Sequence, residues 1–269
     1  KERVLQSVEK PDYKETLTSI FRSRPLMLLA LSDLLSSFGN IGTSISLYYI
    51  NVLNFSSAEL VVGIPGMFVT YASYTYITKL RENFSTKALW IFGDHFGNAL
   101  LLLVYLFGSI NKNYKKTWTM LIAFMIRETV WNGVYALRKV IPTEIGNEVI
   151  DYGEWKNGFR SEGMTGVAKG LITKMVNTVK GIIQPLLFKA FGYDNTKNQG
   201  AQTPEARYAL FFMCTLLPVV TGILSVVPQL FYDLQGEKRD RMYAELRERR
   251  KAMQNQVDEY NDSIDSDAQ

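Results

Sequence analysis

Asp151-Tyr152-Gly153-Glu154-Trp155-Lys156-Asn157-Gly158-Phe159-Arg160 is a charged, glycine-punctuated run set between two long apolar segments. The same alternation extends along the whole chain. Apolar windows cover about 25–53, 58–78, 88–107, 117–137, 165–190 and 208–232, and short polar or charged runs separate them. Windows of roughly 20 to 29 residues have the length of membrane spans, because a bilayer core of about 30 Å is crossed by about 20 helical residues. None of them alternates apolar and polar residues in the way a closed barrel of about 10-residue strands requires. The sequence therefore predicts an all-α, polytopic membrane protein. Six transmembrane helices occupy 25–233, after a polar lead over 1–24 and before a charged tail over 234–269. A large soluble helical bundle is the competing reading, since several windows hold polar groups. The repeated span length favours the membrane.

Lysine and arginine fall unevenly on the two sides of these windows. One side, made of 1–24, 79–87, 138–160 and the tail, carries twenty, and the other carries five. The rich side is expected to be cytoplasmic. Both termini then lie inside, in agreement with an even number of spans. The opening 1–14 is polar, so no signal peptide is expected there. A single cysteine, Cys214, and a single histidine, His95, leave no disulfide framework, zinc set or histidine-based triad. The net charge of +4 comes without a basic stripe interleaved with aromatics, which argues against nucleic acid. No phosphate-binding glycine loop or nucleophile elbow is present. Neither an enzyme nor a cofactor is expected.

Charged groups inside the windows are the candidate site. Lys174 lies near the middle of the fifth window, where a charge costs at least about 2.5–3.5 kcal/mol and faces protein or water. Gly170, Lys174, Asn177, Gly181 and Gln184 share one helical face. That stripe suits either a water-filled cavity for a hydroxyl-rich ligand or a helix seam in which Lys174 pairs with an acid. In the fourth window Arg127 and Trp131 share a face. An arginine beside an aromatic plane can stack on a sugar or clamp an anion, or it can form a buried ion pair with Glu128 or Asp94. Asp94, His95 and Asn98 form a polar spot in the third window, read as a proton relay or as a helix–helix hydrogen bond. Asp33, Ser37, Asn40, Ser44 and Tyr48 make a stripe in the first window, facing a cavity or a packing seam. Asp151 and Glu154 are expected to form a salt-bridge network with Lys139, Lys156 and Arg160 that closes an inner gate. The tail carries Met242, Leu246, Met253 and Val257 at helical spacing, so a solvated helix on the membrane surface is expected.

The run Asp151–Lys156, with Arg160 and Glu162 after it and Phe191-Gly192-Tyr193 beyond the next window, resembles the loop before the eleventh helix of the glycoside–pentoside–hexuronide:cation symporters. These are the melibiose-permease-like branch of the major facilitator superfamily. The resemblance covers essentially the whole chain, as helices seven to twelve of twelve. It implies half of a major facilitator fold in a bacterial inner membrane, moving a sugar with a coupled cation, Na+ or H+, by alternating access. It also implies an N-terminal six-helix half outside this sequence, which carries most of the cation site and of the sugar contacts. Lys174 takes the place of a lysine near those sites, and Asn132 that of an asparagine in the tenth helix. Lys139 stands where the family has a cavity tryptophan. The substrate-binding set is thus Lys174, Asn177, Arg127, Trp131, Asn132 and Asn40. The gating loop is Asp151, Tyr152, Gly153, Glu154, Lys156 and Arg160. Transport of another small solute, or a membrane interaction module without transport, are the alternatives.

Overall fold

The computed structural model of the chain describes residues 18, 22–39, 41–160 and 162–267. Asn40 and almost all of the expected lead lie outside them. Among the described residues every regular element is helical. They are α1 (Arg24–Phe38), α2 (Ile45–Asn51), α3 (Ala58–Asn83), α4 (Thr86–Ser109), α5 (Thr117–Asn132), α6 (Tyr135–Asn157), α7 (Glu162–Ala190), α8 (Pro204–Gly222), α9 (Val226–Leu230) and α10 (Gly236–Asp267). Short 3-10 segments follow α4, over Ile110–Lys115 with a kink at Asn111 and Lys112, and α8, over Ile223–Ser225.

Local chemistry sets the ends. Pro25 occupies the first turn of α1, where its missing N–H costs nothing. The Ser85 and Thr203 hydroxyls cap α4 and α8 by accepting from Ala88 N and Ala206 N, each at 3.2 Å. Three stretches are long and apolar enough to cross a bilayer: Ala58–Asn83, Thr86–Lys115 and Pro204–Leu230. The other expected spans are built differently. The first is two helices, α1 and α2, broken around Gly42. A Cβ on Gly42 would stand 2.2 Å from the Met213 carbonyl oxygen of α8, so only hydrogen fits between the two backbones. The fourth is α5 joined to α6 through Gly133 and Val134. The fifth, α7, is continuous over 29 residues but carries Lys169, Lys174, Lys180 and Lys189.

Two expectations need correction. The run expected as a loop over 138–162 is helical as far as Asn157. Beneath its charges Leu137, Ile141, Ile145 and Val149 recur every fourth residue and are buried as one stripe. Gly158, with φ 79°, ends α6 in the left-handed conformation that glycine adopts freely. Gly153 lies inside the helix with open space where a side chain would go. The tail helix, in turn, is docked and not merely solvated. Met242 and Leu246 are 0 % and 1 % exposed, packed with Ile145, Val149, Tyr152 and Trp155 of α6.

Two apolar clusters hold the bundle. One gathers Tyr48, Tyr49, Phe124, Phe211, Met213 and the buried Cys214. The Phe211 ring stacks on Tyr114 at 5.3 Å between centroids, and the Tyr48 hydroxyl donates to the Tyr114 carbonyl at 2.6 Å. Of the first-window stripe, read as facing a cavity or a packing seam, Tyr48 belongs to this core, while Asp33 and Ser44 are exposed. The second cluster joins Leu26, Trp90, Ile141, Tyr232 and the start of α10. Several helices leave broad apolar faces uncovered, among them α3, α4, α5 and α7. Leu60, Met67, Phe68 and Tyr71 are exposed on α3, and Leu171, Met175, Ile182 and Leu186 on α7.

Candidate functional site

The residues singled out in the sequence fall into three places. On α5, helical spacing brings Arg127, Glu128, Trp131 and Asn132 to the end that leads into α6. Arg127 is 8 % exposed. It forms an ion pair with Glu128, and its guanidinium lies 4.1 Å from the centre of the Trp131 ring. The Arg138 guanidinium of α6 lies 3.7 Å from the same ring. Trp131 thus carries two cations on its π system. Its indole is seated against Gly97 of α4, where a Cβ would meet Nε1 at 2.5 Å. Asn132 donates to the Glu128 carbonyl at 2.9 Å and is seated against Gly66 of α3. Of the ion pairs posed for Arg127, the one with Glu128 is present. A cavity of about 440 Å3 lies beside Arg127 between α4 and α5. Leu100, Leu103, Val104, Phe107, Ile122 and Ile126 line it, a wall that offers a sugar few hydrogen bonds.

On α7, Lys174 and Asn177 are exposed. Gln184, on the same stripe, donates to the Gly42 carbonyl at 2.7 Å and ties α7 to the break in the first span. Cβ atoms at Gly170 or Gly181 would meet nothing, so this face is open. Among the described residues no hydrogen bond or ion pair joins Lys174 or Asn177 to the α5 group. Also among them, no cluster of three or more His, Cys, Asp or Glu could hold a metal ion.

The third place is the end of α6. Arg160 donates to Asp151 at 2.6 Å and to Glu154 at 2.9 Å. Arg250 of α10 reaches the same two carboxylates at 3.0 and 2.7 Å. Two guanidinium forks therefore share two carboxylates, the geometry in which arginine is strongest. Trp155 donates to Glu245 of α10 at 2.6 Å. The network expected here included Lys139 and Lys156. Both lie over aromatic rings instead, Lys139 over Tyr135 and Lys156 over Trp155. Arg250 was missed. The signal for it was the helical spacing of Met242 and Leu246, which fixes the face that α10 presents to α6.

Burial pushes the Glu154 carboxyl up, but hydrogen bonds from Arg250 and Arg160 outweigh it, and the group ends below its ordinary 4.5. A depressed carboxylate stabilises above the unfolded value and loses that stabilisation as pH falls through the folded one. Limited proteolysis of α10 should therefore stay slow down to about pH 4.5 and accelerate below it. Acceleration that begins near neutrality would exclude Glu154 as the titrating group.

Glu148, one turn before Asp151, is 1 % exposed and pairs with Arg239 of α10 at 2.5 Å. Burial raises its carboxyl and Arg239 lowers it only in part, so the net direction is up. Arg239→Met should cost about 2–3 kcal/mol of tail docking, less than for a fully buried pair because Arg239 is 31 % exposed. The raised Glu148 takes up a proton as pH falls, so the defect should shrink toward acid. Adding Glu148→Gln should rescue much of it. Equal losses in Arg239→Met and the double variant would break this assignment.

Residues 1–236 match the model of a family described as MFS/sugar transport protein. The chain is 29 % identical over 97 % of its length to the uncharacterized symporter YnaJ of Bacillus subtilis, and covers 54 % of that protein. It is 26 % identical over 94 % of its length to a glucuronide carrier protein homolog of Escherichia coli, again covering 54 %. Over 65 % of its length it is 27 % identical to an isoprimeverose transporter of Lactiplantibacillus pentosus, covering 40 % of it. The chain thus spans about half the length, or less, of these relatives.

Proposed function

Since the chain belongs to the MFS/sugar transport protein family and has the all-helical fold of half a major facilitator, we propose that it is the C-terminal half of a secondary active transporter. The transporter moves a glycoside, pentoside or hexuronide with a coupled cation, Na+ or H+, by alternating access across a bacterial inner membrane. Both termini of this chain face the cytoplasm. The cation is held mainly by the other half.

The observation that carries this reading is the pair of uncovered faces on α3 and α7. Leu60, Phe68 and Tyr71 on one helix and Leu171, Met175 and Ile182 on the other are exposed, beyond what a closed bundle leaves bare. A second six-helix half packs against these faces, and the substrate lies between the halves. Lys174 and Asn177, on the open stripe of α7, line that cavity. The Arg127–Trp131–Asn132 group stiffens the wall behind them. The Asp151–Glu154–Arg160–Arg250 clamp closes the cytoplasmic side. The relatives' names, a glucuronide carrier homolog and an isoprimeverose transporter, support a glycoside or uronide.

The test is uptake by proteoliposomes holding the complete transporter, offered radiolabelled glucuronide, isoprimeverose and a simple pentoside, with and without a Na+ or proton gradient. One of the sugars should accumulate only when a gradient is imposed. Failure of every sugar under both gradients would refute the reading.

A further inference from the structure

Asp94 lies eight residues into α4, about 12 Å along the helix axis, within a stretch apolar enough to cross a bilayer. Among the described residues it forms no ion pair. Its carboxylate Oδ2 accepts from Gln229 Nε2 of α9 at 2.6 Å. Gln229 is 0 % exposed, and its Oε1 accepts from His95 Nε2 at 3.1 Å. His95 Nδ1 in turn accepts from Asn98 Nδ2 at 3.3 Å. Each link has one donor and one acceptor, so the chain has a single direction. Every N–H points toward Asp94, and His95 is a neutral imidazole with its proton on Nε2.

Such a chain has a second self-consistent state. If the carboxylate gains one proton, its O–H needs an acceptor. The Gln229 amide must then turn over and present Oε1 to Asp94, which aims its N–H at His95 Nε2. That nitrogen has to be bare, so the imidazole releases a proton there and binds one at Nδ1, which donates to Asn98 Oδ1. One proton is gained overall, and His95 stays neutral.

Few charged groups surround Asp94. The charged groups nearest it are Asp33 of α1 and Arg138 of α6. Lys87, two turns earlier, donates to the Leu230 and Tyr232 carbonyls at 2.6 and 3.1 Å. Arg127 and Glu128 of α5 pair with each other, and Arg81 of α3 pairs with Glu144. The charges of α8, Glu205 and Arg207, sit at its far end. The groups facing the carboxylate, Gln229 and Trp90, present N–H donors, whereas a metal cation is held by oxygen ligands.

We propose that Asp94 is a proton-binding site belonging to this half of the protein, and that the Gln229–His95–Asn98 chain reports its protonation across the contact between α4 and α9. Its use in coupling rests on the transporter reading; the site itself does not.

His95 is the one histidine of this sequence, so isotope-labelled histidine reports it directly, with His95→Gln identifying the signal in the full protein. Nitrogen NMR of the protein in lipid bilayers, titrated from about pH 4 to about pH 9 to span the carboxylate and imidazole ranges, reads the tautomer. The expected result is exchange of the Nε2–H form for the Nδ1–H form on acidification, without imidazolium. Asp94→Asn should make the tautomer independent of pH. Gln229→Leu, which keeps the carboxyl, should uncouple His95 from it, while the infrared band of the protonated Asp94 carboxyl persists. An ordinary imidazolium titration, the same in the parent and in Asp94→Asn, overturns the proposal. So does a switch that survives Gln229→Leu, or a single tautomer throughout. None of these readouts uses sugar, so a working switch beside failed uptake would overturn the transporter reading alone.

Discussion

Lys174→Ala is expected to lower sugar uptake by the complete transporter by about 100-fold, the value of a charged hydrogen bond to substrate, while its amount in the membrane stays normal. Lys174 is exposed on α7 between Leu171 and Met175, which are 57 % and 69 % exposed. Among the described residues its ammonium has no partner. A bare ammonium at bilayer depth is costly unless water, a ligand or an acid on the facing half meets it. If it lines the cavity, deleting it removes a desolvation cost, and insertion and folding do not suffer. If it pairs with an acid of the other half, deletion strands that acid, and the protein level falls along with uptake. Radiolabelled uptake beside quantitative membrane immunoblots separates the two outcomes. Full uptake at a normal level would remove Lys174 from the substrate path altogether.

Gly42→Val should be the most damaging of the small substitutions, costing about 3 kcal/mol or more. Overpacking a core costs roughly 1–3 kcal/mol when side chains can yield. Here the atom in the way is the Met213 backbone oxygen, 2.2 Å from the added Cβ, and it cannot rotate aside. The Gly42 carbonyl accepts from Gln184 at 2.7 Å. A shift at Gly42 therefore disturbs α7 and α8 together. Gly153→Ala is the control. Its Cβ meets nothing, and alanine inside a helix is worth roughly 0.5–1 kcal/mol over glycine. Thermal unfolding in detergent should move down for the first and slightly up for the second. Equal transitions for Gly42→Val and the parent protein would mean that the contact with α8 is not tight.

The all-helical architecture was legible from segment length and from the polar runs that separate the segments. These properties survive without any knowledge of which helices touch. The charged run after the fourth window was misread because its side chains were weighed by charge and not by spacing. Ile141, Ile145 and Val149 already stood four residues apart. The clamp was half legible. Arg160 lies nine residues from Asp151, close enough to be found in the sequence, whereas Arg250 lies 99 residues from it. Only the docking of α10 brings them together. The seating of Trp131 and Asn132 was not legible. What seats them is Gly97 and Gly66, two glycines on other helices, and a missing side chain leaves no mark in the sequence of the helix that uses it.

The continuous α6 also has a mechanical consequence. It begins just past Gly133 and runs 23 residues to Asn157, so it is an arm of about 34 Å pivoting beside the Trp131 stack. A tilt of about 10° at that pivot moves the far tip by about 6 Å. The Arg81–Glu144 bridge to α3, 2.7 Å long, sits some 14 Å from the pivot and would stretch by about 2.4 Å. It would part, while the clamp and α10, carried on the arm itself, would travel intact. The arm turns a small rotation at Gly133 into a large stroke at Asn157.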